Sequence, residues 1–187
     1  MEAVYTSHTI EHIRDPHASK VFDEAWRILK PGGFFRITCP DIKIYYDAYR
    51  RGDHGVFMQY NSHYRDCSME QLFLREFATQ ISEANNDMMP ISKKSTEEIK
   101  EIFNNQVMEA GLDYFSSFID YESWYKKVPG NHVNWWSYQK VFDFLKGAGF
   151  KNFWRSGHGQ SYCPVMREVP LFDVTAHFIS LYVEARK

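Results

Sequence analysis

The sequence predicts an α/β fold, and three observations lead to that prediction. A strand–helix–strand unit occupies about residues 3–50, a mostly helical stretch covers 52–131, and a helix followed by two strands fills 132–187. A strand–helix–strand unit with short connections places its two strands parallel, because the helix crosses back over the sheet. We therefore expect a single domain, residues 1–187, whose first and last segments (1–50 and 132–187) form the core and whose middle segment (52–131) is a helical insertion or lid.

Hydrophobic periodicity and one sharp turn define the first unit. Residues 3–7 are β-prone, and residues 34–39 form the second strand. Between them, Asp15 is the expected N-cap of a helix, with Pro16 in its first turn and apolar residues at every third or fourth position. The helix ends at Lys-Pro-Gly-Gly, residues 30–33, because proline breaks the hydrogen-bond ladder and glycine permits the reversal. Another helix is expected to begin at residues 40–41.

Capping signals organise the helical insertion. Ser68 and Ser95 each precede a Gln or Glu by three residues, the pattern of a capping box. Gly111 is the expected C-cap of the helix that Ser95 begins. Residues 85–87 (Asn-Asn-Asp) and 129–131 (Pro-Gly-Asn) are expected to be loops.

The sequence pattern of the last segment predicts a helix followed by two strands. Ser137 caps a helix that Gly149 ends, and strands follow at residues 150–155 and 179–186. In the last strand, alternate apolar residues predict one buried face, with Tyr182, Glu184 and Arg186 on the other face.

Composition excludes several classes of function. The net charge is −2 and there is no basic run, so we expect no nucleic-acid partner. The apolar runs are too short to span a bilayer, and the N-terminus has no signal-peptide pattern, so we expect no membrane association. Three cysteines without a CxxC pair indicate reduced thiols in a cytoplasmic protein.

Two segments together resemble a known family. The first reads Tyr-Thr-Ser-His-Thr-Ile-Glu-His at 5–12, then Arg-Ile-Leu-Lys-Pro-Gly-Gly at 27–33 and Arg-Ile-Thr-Cys-Pro-Asp at 36–41. It resembles the fourth strand, the next helix and the fifth strand of class I S-adenosylmethionine-dependent methyltransferases. The second comprises Trp-Trp-Ser at 135–137, the helix to 148–150 and the strand at 181–186. It resembles the end of that family, where the last two strands form an antiparallel pair. The resemblance implies a partial Rossmann-like methyltransferase sheet, with two parallel strands plus a C-terminal antiparallel pair and a helical insertion.

The sequence departs from the family in one respect. Family members hold the cofactor S-adenosylmethionine with a glycine-rich loop after the first strand and an acidic residue after the second. No GxGxG occurs in this sequence. The resemblance therefore covers the methionine end of the cofactor site and the substrate face, and the adenosine half is expected from elsewhere. Without its neighbour, the strand at residues 3–8 becomes an open edge, which predicts a homodimer through that edge.

The resemblance also implies the candidate site residues. Ligands bind outside the carboxyl ends of parallel strands, which places Thr6 and Ser7 beside the cofactor. His8 or His12 is a candidate general base, and Glu11 is a further catalytic candidate. Bracing of the loop by Glu11 and His12 is the structural alternative. The same residues spell HxxEH, a zinc-protease pattern. That pattern needs both histidines on one helical face and here lies at a strand-to-helix junction, so we expect no metal.

Substrate contacts are expected from residues around the same rim and from the returning insertion. The candidates are Asp41, Tyr45, His132 and Trp135, with His158 and Ser161 as weaker ones. The structural alternatives are helix capping by Asp41 and aromatic packing by Tyr45, His132 and Trp135.

Three functions remain open from the sequence. The first is methyl transfer to an oxygen or nitrogen of a small-molecule acceptor. The second is a truncated, catalytically inactive remnant of the fold that acts as a binding or dimerising module. The third, based on HxxEH alone, is a metal hydrolase.

Overall fold

A mixed four-stranded sheet is the centre of the fold. The computed structural model describes residues 1–59, 66–84 and 93–187. Strands β1 (Ala3–Ser7), β2 (Phe34–Pro40), β3 (Asn152–Arg155) and β4 (Ser180–Arg186) lie in the order β1-β2-β4-β3. β1 and β2 are parallel, and β4 is antiparallel to both of its neighbours. The predicted partial Rossmann-like sheet, with a parallel pair and a C-terminal antiparallel pair, is confirmed.

The β1–α1–β2 unit forms where the sequence predicts it. Helix α1 (Asp15–Ile28) carries Pro16 in its first turn. The prediction that Asp15 caps this helix is wrong, because Arg14 occupies the cap position and Asp15 is the first helical residue. At that position its carboxylate still interacts favourably with the positive end of the helix dipole. Gly32 has a φ of +82°, as the reversal into β2 requires.

The last strand differs from its predicted environment. Leu181, Val183 and Ala185 are buried, as expected, but Tyr182 and Glu184 are buried as well. β4 is an inner strand, and on the face that carries Glu184 the Arg36 side chain and the backbone N–H of Tyr162 donate to the Glu184 carboxylate. The prediction of one exposed face is therefore wrong for all but the final residue, Arg186.

Clustering of contacts divides the chain into two compact units. Unit 1 comprises residues 1–41 and 136–187, and unit 2 comprises residues 42–135. In unit 1, α1 and α8 (Tyr138–Gly147) pack on the sheet through Phe22, Trp136 and Leu145, among other buried residues. The assignment of the whole chain to a single domain stays a prediction.

Unit 2 is helical, as predicted for the insertion. Its helices are α2 (Ile42–Arg51), α3 (His54–Met58), α4 (Met69–Ala78), α5 (Thr96–Asn105), α6 (Met108–Ser116) and α7 (Tyr121–Lys127). Ser68 and Ser95 accept hydrogen bonds from backbone N–H groups three residues later, which confirms both caps. In its core, Tyr49 stacks on Phe73, and Phe103 meets Phe73 edge to face. Across the described ranges, no helix is both long and apolar enough to cross a bilayer.

One capping prediction in unit 2 is wrong, and one loop prediction is untested. Gly111 lies inside α6, and α5 ends at Asn105 with Gln106 as its cap. A Cβ on Gly111 would lie 2.5 Å from the ring of Phe103, so this glycine permits close helix packing. The predicted loop at 129–131 is confirmed as a turn, and the one at 85–87 lies outside the described residues.

Candidate functional site

The candidate site of unit 1 lies where strand ends meet. β1 ends at Ser7 and the parallel β2 ends at Pro40, so their carboxyl ends share one edge of the sheet. β4 runs in the opposite direction, and its first residue, Ser180, pairs with Pro40 at that edge. In open α/β sheets, this edge is where ligands bind.

His8 leaves β1 in an unusual backbone conformation. Its φ is +44°, in the left-handed region that few residues other than glycine adopt. Its N–H donates to Thr38 O at 2.9 Å, and Thr38 Oγ1 donates to Ser7 Oγ at 2.9 Å. These bonds fix the turn, and such strained positions concentrate at functional sites. Thr6 precedes Ser7 as the second-to-last residue of β1, opposite Ile37.

Glu11 lies between two imidazoles. It belongs to a 3₁₀ turn, Ile10–His12, and its carboxylate is 2% exposed. Its Oε1 is 3.3 Å from Nδ1 of His8 and 3.8 Å from Nε2 of His12. Neither oxygen makes a hydrogen bond within the described ranges. A buried carboxylate is costly without compensation, so the two histidines are its electrostatic partners.

Ser180 is a site residue that sequence reasoning missed. Its Oγ lies 2.7 Å from Nε2 of His8 and donates to Ala176 O at 2.9 Å. When the hydroxyl hydrogen points to Ala176, Oγ accepts from Nε2–H of His8. The other ring nitrogen of His8, Nδ1, faces the Glu11 carboxylate. His8 thus has a protein atom within 3.3 Å of each ring nitrogen, and its side chain is 13% exposed against 25% for His12.

Cys39 and Asp41 complete this edge. Burial raises the pKa of the Cys39 thiol well above its usual range, and the charges of Glu11 and Asp41 raise it further. Asp41 Oδ2 accepts from Nη2 of Arg155 at 3.0 Å. Asp41 is buried while Arg155 is about half exposed, so the guanidinium supplies the positive charge that the buried carboxylate needs.

Two predicted substrate residues converge on Glu76 in unit 2. Nδ1 of His132 lies 2.8 Å from the Glu76 carbonyl oxygen, to which it donates in the tautomer with a proton on Nδ1. The Tyr45 hydroxyl hydrogen-bonds to the Glu76 carboxylate. Burial raises the pKa of Glu76, and the smaller opposing effects come from Arg75 and from that Tyr45 bond. A cavity of about 100 Å³ adjoins Glu76 and His132.

Trp135, the last predicted substrate residue, is buried in unit 2. Its indole Nε1 donates to Asp113 Oδ1 at 3.0 Å. This bond satisfies the indole donor, as is usual for a buried tryptophan. The roles assigned to Trp135, His132, Tyr45 and Asp41 stay predictions.

A second polar cluster in unit 1 was also missed, and we call it the Arg36 cluster: Arg36, Asp173 and Glu184. All three side chains are fully buried. The Arg36 guanidinium binds Asp173 through Nε and Nη2, and Glu184 through Nη1 at 2.9 Å. The sequence signal was a charged residue between Phe35 and Ile37 in an otherwise apolar strand.

Comparison with known families gives a match at the start of the chain. Residues 1–37 match the family model described as a methyltransferase domain. The match covers β1, the Glu11 turn, α1 and the beginning of β2, so this part of the chain is similar to methyltransferase domains. Comparison with curated proteins gives no match.

Proposed function

We propose that this chain supplies the acceptor side of an S-adenosylmethionine-dependent methyltransferase site, acting on an oxygen or nitrogen of a small molecule. The observation that carries the proposal is the coincidence of two features. The family match covers residues 1–37, and the His8, Glu11 and His12 side chains gather within that segment at the carboxyl edge of the sheet. Methyltransferase domains of this family typically use S-adenosylmethionine.

The residues at this edge of unit 1 do not form a complete cofactor site. A ribose is usually held by a carboxylate, but Glu11 is buried beside two histidines and Asp41 is paired with Arg155. The sequence contains no glycine-rich phosphate or nucleoside loop. The adenosine end therefore has to be bound by residues away from this edge, elsewhere in the protein or in a second copy of it.

The chain's own residues would position an acceptor and take up its proton. His12 is the better-placed base, because it is more exposed than His8 and lies within 3.8 Å of Glu11. The Glu11 carboxylate stabilises the imidazolium that forms when His12 accepts the proton. His8 would then act as a positioning residue, since Ser180 and Glu11 face its two ring nitrogens.

Calorimetric titration of the purified protein tests the proposal. Saturable binding of S-adenosylmethionine and S-adenosylhomocysteine at micromolar concentration is the expected result. No heat and no thermal shift at millimolar ligand would overturn the proposal for this chain. For the base, His12→Gln is expected to lower methyl transfer by about 10²–10⁴-fold with ligand binding retained. An unchanged rate would remove His12 from the reaction.

A second candidate function is a dimerising module without catalysis. β1 pairs with β2 alone among the described strands, so its other edge offers backbone N–H and C=O groups to an incoming strand. We propose that two copies associate through this edge. Light scattering at micromolar concentration is expected to give twice the monomer mass, and a monodisperse monomer would overturn this candidate.

A further inference from the structure

A cavity of about 330 Å³ lies in unit 1, beside the end of β3. Trp154 of β3 forms part of its wall, and Tyr162 and Arg167 of the following segment form another part. Its described lining includes Arg167 and Arg155, of which Arg155 is paired with Asp41 outside the lining, and no carboxylate. A concave surface with this charge concentrates anions.

The Arg36 cluster fixes the loop that lines this cavity. Nη1 of Arg36 donates to Ser156 Oγ at 2.8 Å and to Gln160 O at 3.1 Å. Nη2 donates to Gly157 O at 2.9 Å. A single buried guanidinium thus holds the loop at three residues, which leaves the cavity wall preorganised for binding.

The two carboxylates of the cluster hold the same loop through its N–H groups. Gly159 N donates to Asp173 Oδ2 at 3.1 Å, and Tyr162 N donates to Glu184 Oε2 at 3.0 Å. Burying three charges in one cluster is costly and contributes little net stability by itself. The role of the cluster is therefore to fix the conformation of the loop that lines the cavity, rather than to add net stability.

Arg167 and the aromatic side chains provide complementary recognition groups. Nε of Arg167 donates to Ser161 O at 2.7 Å, which orients the guanidinium, and its Nη atoms have no partner within residues 1–59, 66–84 and 93–187. The ring of Tyr162 is 68% exposed and lies 4.8 Å from the ring of Trp154, edge to face. Paired Nη donors suit a carboxylate or phosphate, and the exposed ring suits a flat apolar group.

We propose that this cavity is a binding site for a small anion that carries a planar ring, such as an aromatic phosphate or carboxylate. Arg167 holds the anionic group and Tyr162, beside Trp154, contacts the ring. The site does not depend on methyl transfer, because none of its recognition groups belongs to the Glu11 turn or to the strand ends beside it.

Isothermal titration with phenyl phosphate, and with benzylamine as a cation of similar shape, tests the site. We expect phenyl phosphate to bind with a Kd of about 1 mM or tighter and benzylamine not to bind. Arg167→Gln is expected to weaken phenyl phosphate binding at least about tenfold, as loss of a charge-assisted bond requires. Arg27→Gln, an exposed change on α1, is the matched control and leaves binding unchanged.

Nuclear magnetic resonance of the indole N–H groups gives an independent readout. Phenyl phosphate is expected to shift the Trp154 signal and leave that of the buried Trp136 in place. The proposal is overturned if phenyl phosphate does not bind, if benzylamine binds equally well, or if Arg27→Gln weakens binding as much as Arg167→Gln. Inorganic phosphate binding as tightly as phenyl phosphate would remove the ring from the proposal and overturn its aromatic part.

Discussion

Unit 1 contains two buried charged groups that differ in how their polar atoms are satisfied. In the Arg36 cluster, every carboxylate oxygen of Asp173 and Glu184 accepts at least one hydrogen bond. In the Glu11 turn, neither oxygen of the buried carboxylate accepts one in the described part of the chain. Fully bonded charges hold structure, whereas in the proposed function the incompletely bonded Glu11 charge has the task of stabilising a protonated His12.

The largest expected effect comes from breaking the Arg36 cluster. Arg36→Met leaves Asp173 and Glu184 buried without their cation. We expect the free energy of unfolding to fall by about 3–5 kcal/mol in urea denaturation. Arg27→Met, which removes a fully exposed partner of Glu24, is the control and leaves the urea midpoint unchanged. Equal effects of the two changes would contradict the structural role of the cluster.

A smaller loss of stability is expected when the uncharged side chain of Tyr5 loses its contacts with Asp173 of the same cluster. The Tyr5 hydroxyl accepts from Asp173 N at 2.7 Å and donates to Asp173 Oδ1 at 3.3 Å. Tyr5→Phe leaves a buried N–H without a partner, so the free energy of unfolding should fall by about 1–2 kcal/mol. Tyr162→Phe changes an exposed ring and serves as the comparison. A wild-type urea midpoint for Tyr5→Phe would show that water replaces the hydroxyl.

The Glu11 turn should respond in the opposite manner. Glu11→Gln removes a buried charge whose oxygens accept no hydrogen bond in the described residues. We expect the free energy of unfolding to stay within about 1 kcal/mol of wild type, because the lost attraction to histidine is offset by relief of desolvation. A loss as large as that of Arg36→Met would show that Glu11 is structural and would remove the contrast.

Thiol reactivity reports the charge of Glu11 at Cys39. Burial chiefly, and then the Glu11 and Asp41 charges, raise the pKa of Cys39, while Cys67 is more exposed. At pH 8, iodoacetamide should therefore label Cys67 before Cys39, as mapped by mass spectrometry. Glu11→Gln lowers the pKa of Cys39 and should increase its labelling slightly. Unchanged Cys39 labelling, with Cys67 as internal reference, would contradict the electrostatic coupling.

The smallest expected effect is the titration of Tyr182, whose ring lies beside the Arg36 guanidinium. Burial, with a smaller contribution from the Asp173 charge, raises the pKa of Tyr182 to about 12. The unfolded chain loses this proton near the ordinary value of 10. The contribution of Tyr182 to stability is therefore complete below pH 10 and is lost as pH rises toward 12. Burial likewise raises the pKa of Tyr49 to about 12, so absorbance at 295 nm should show a high-pH step that Tyr182→Phe makes smaller. An unchanged step in that variant would contradict the shift of Tyr182.

Local signals predicted much of the fold. The strands at residues 3–7 and 34–39 and the caps at Ser68, Ser95 and Ser137 follow from side chains a few positions apart. The prediction that Gly111 is a C-cap was wrong because glycine serves both turns and close helix contacts. Only the position of the Phe103 ring distinguishes the two roles here.

The candidate site was less predictable because its contacts are remote in sequence. His8, Glu11 and His12 lie close together in the chain, and all three were predicted from the sequence as site residues. The contact of His8 with Ser180 joins residues 172 positions apart, and Arg36 meets Asp173 across 137 positions. Periodicity and motifs carry no information on such pairs, since they depend on the order of strands in the sheet.

The most direct test of the account is a titration of the protein with S-adenosylhomocysteine, followed by the imidazole resonances of its histidines. We predict that the signals of His8 and His12 shift saturably at micromolar ligand. The signal of His17, exposed on α1, should not move. Movement of His17 alone, or no movement of any of the three at millimolar ligand, would contradict a methyltransferase site at the Glu11 turn.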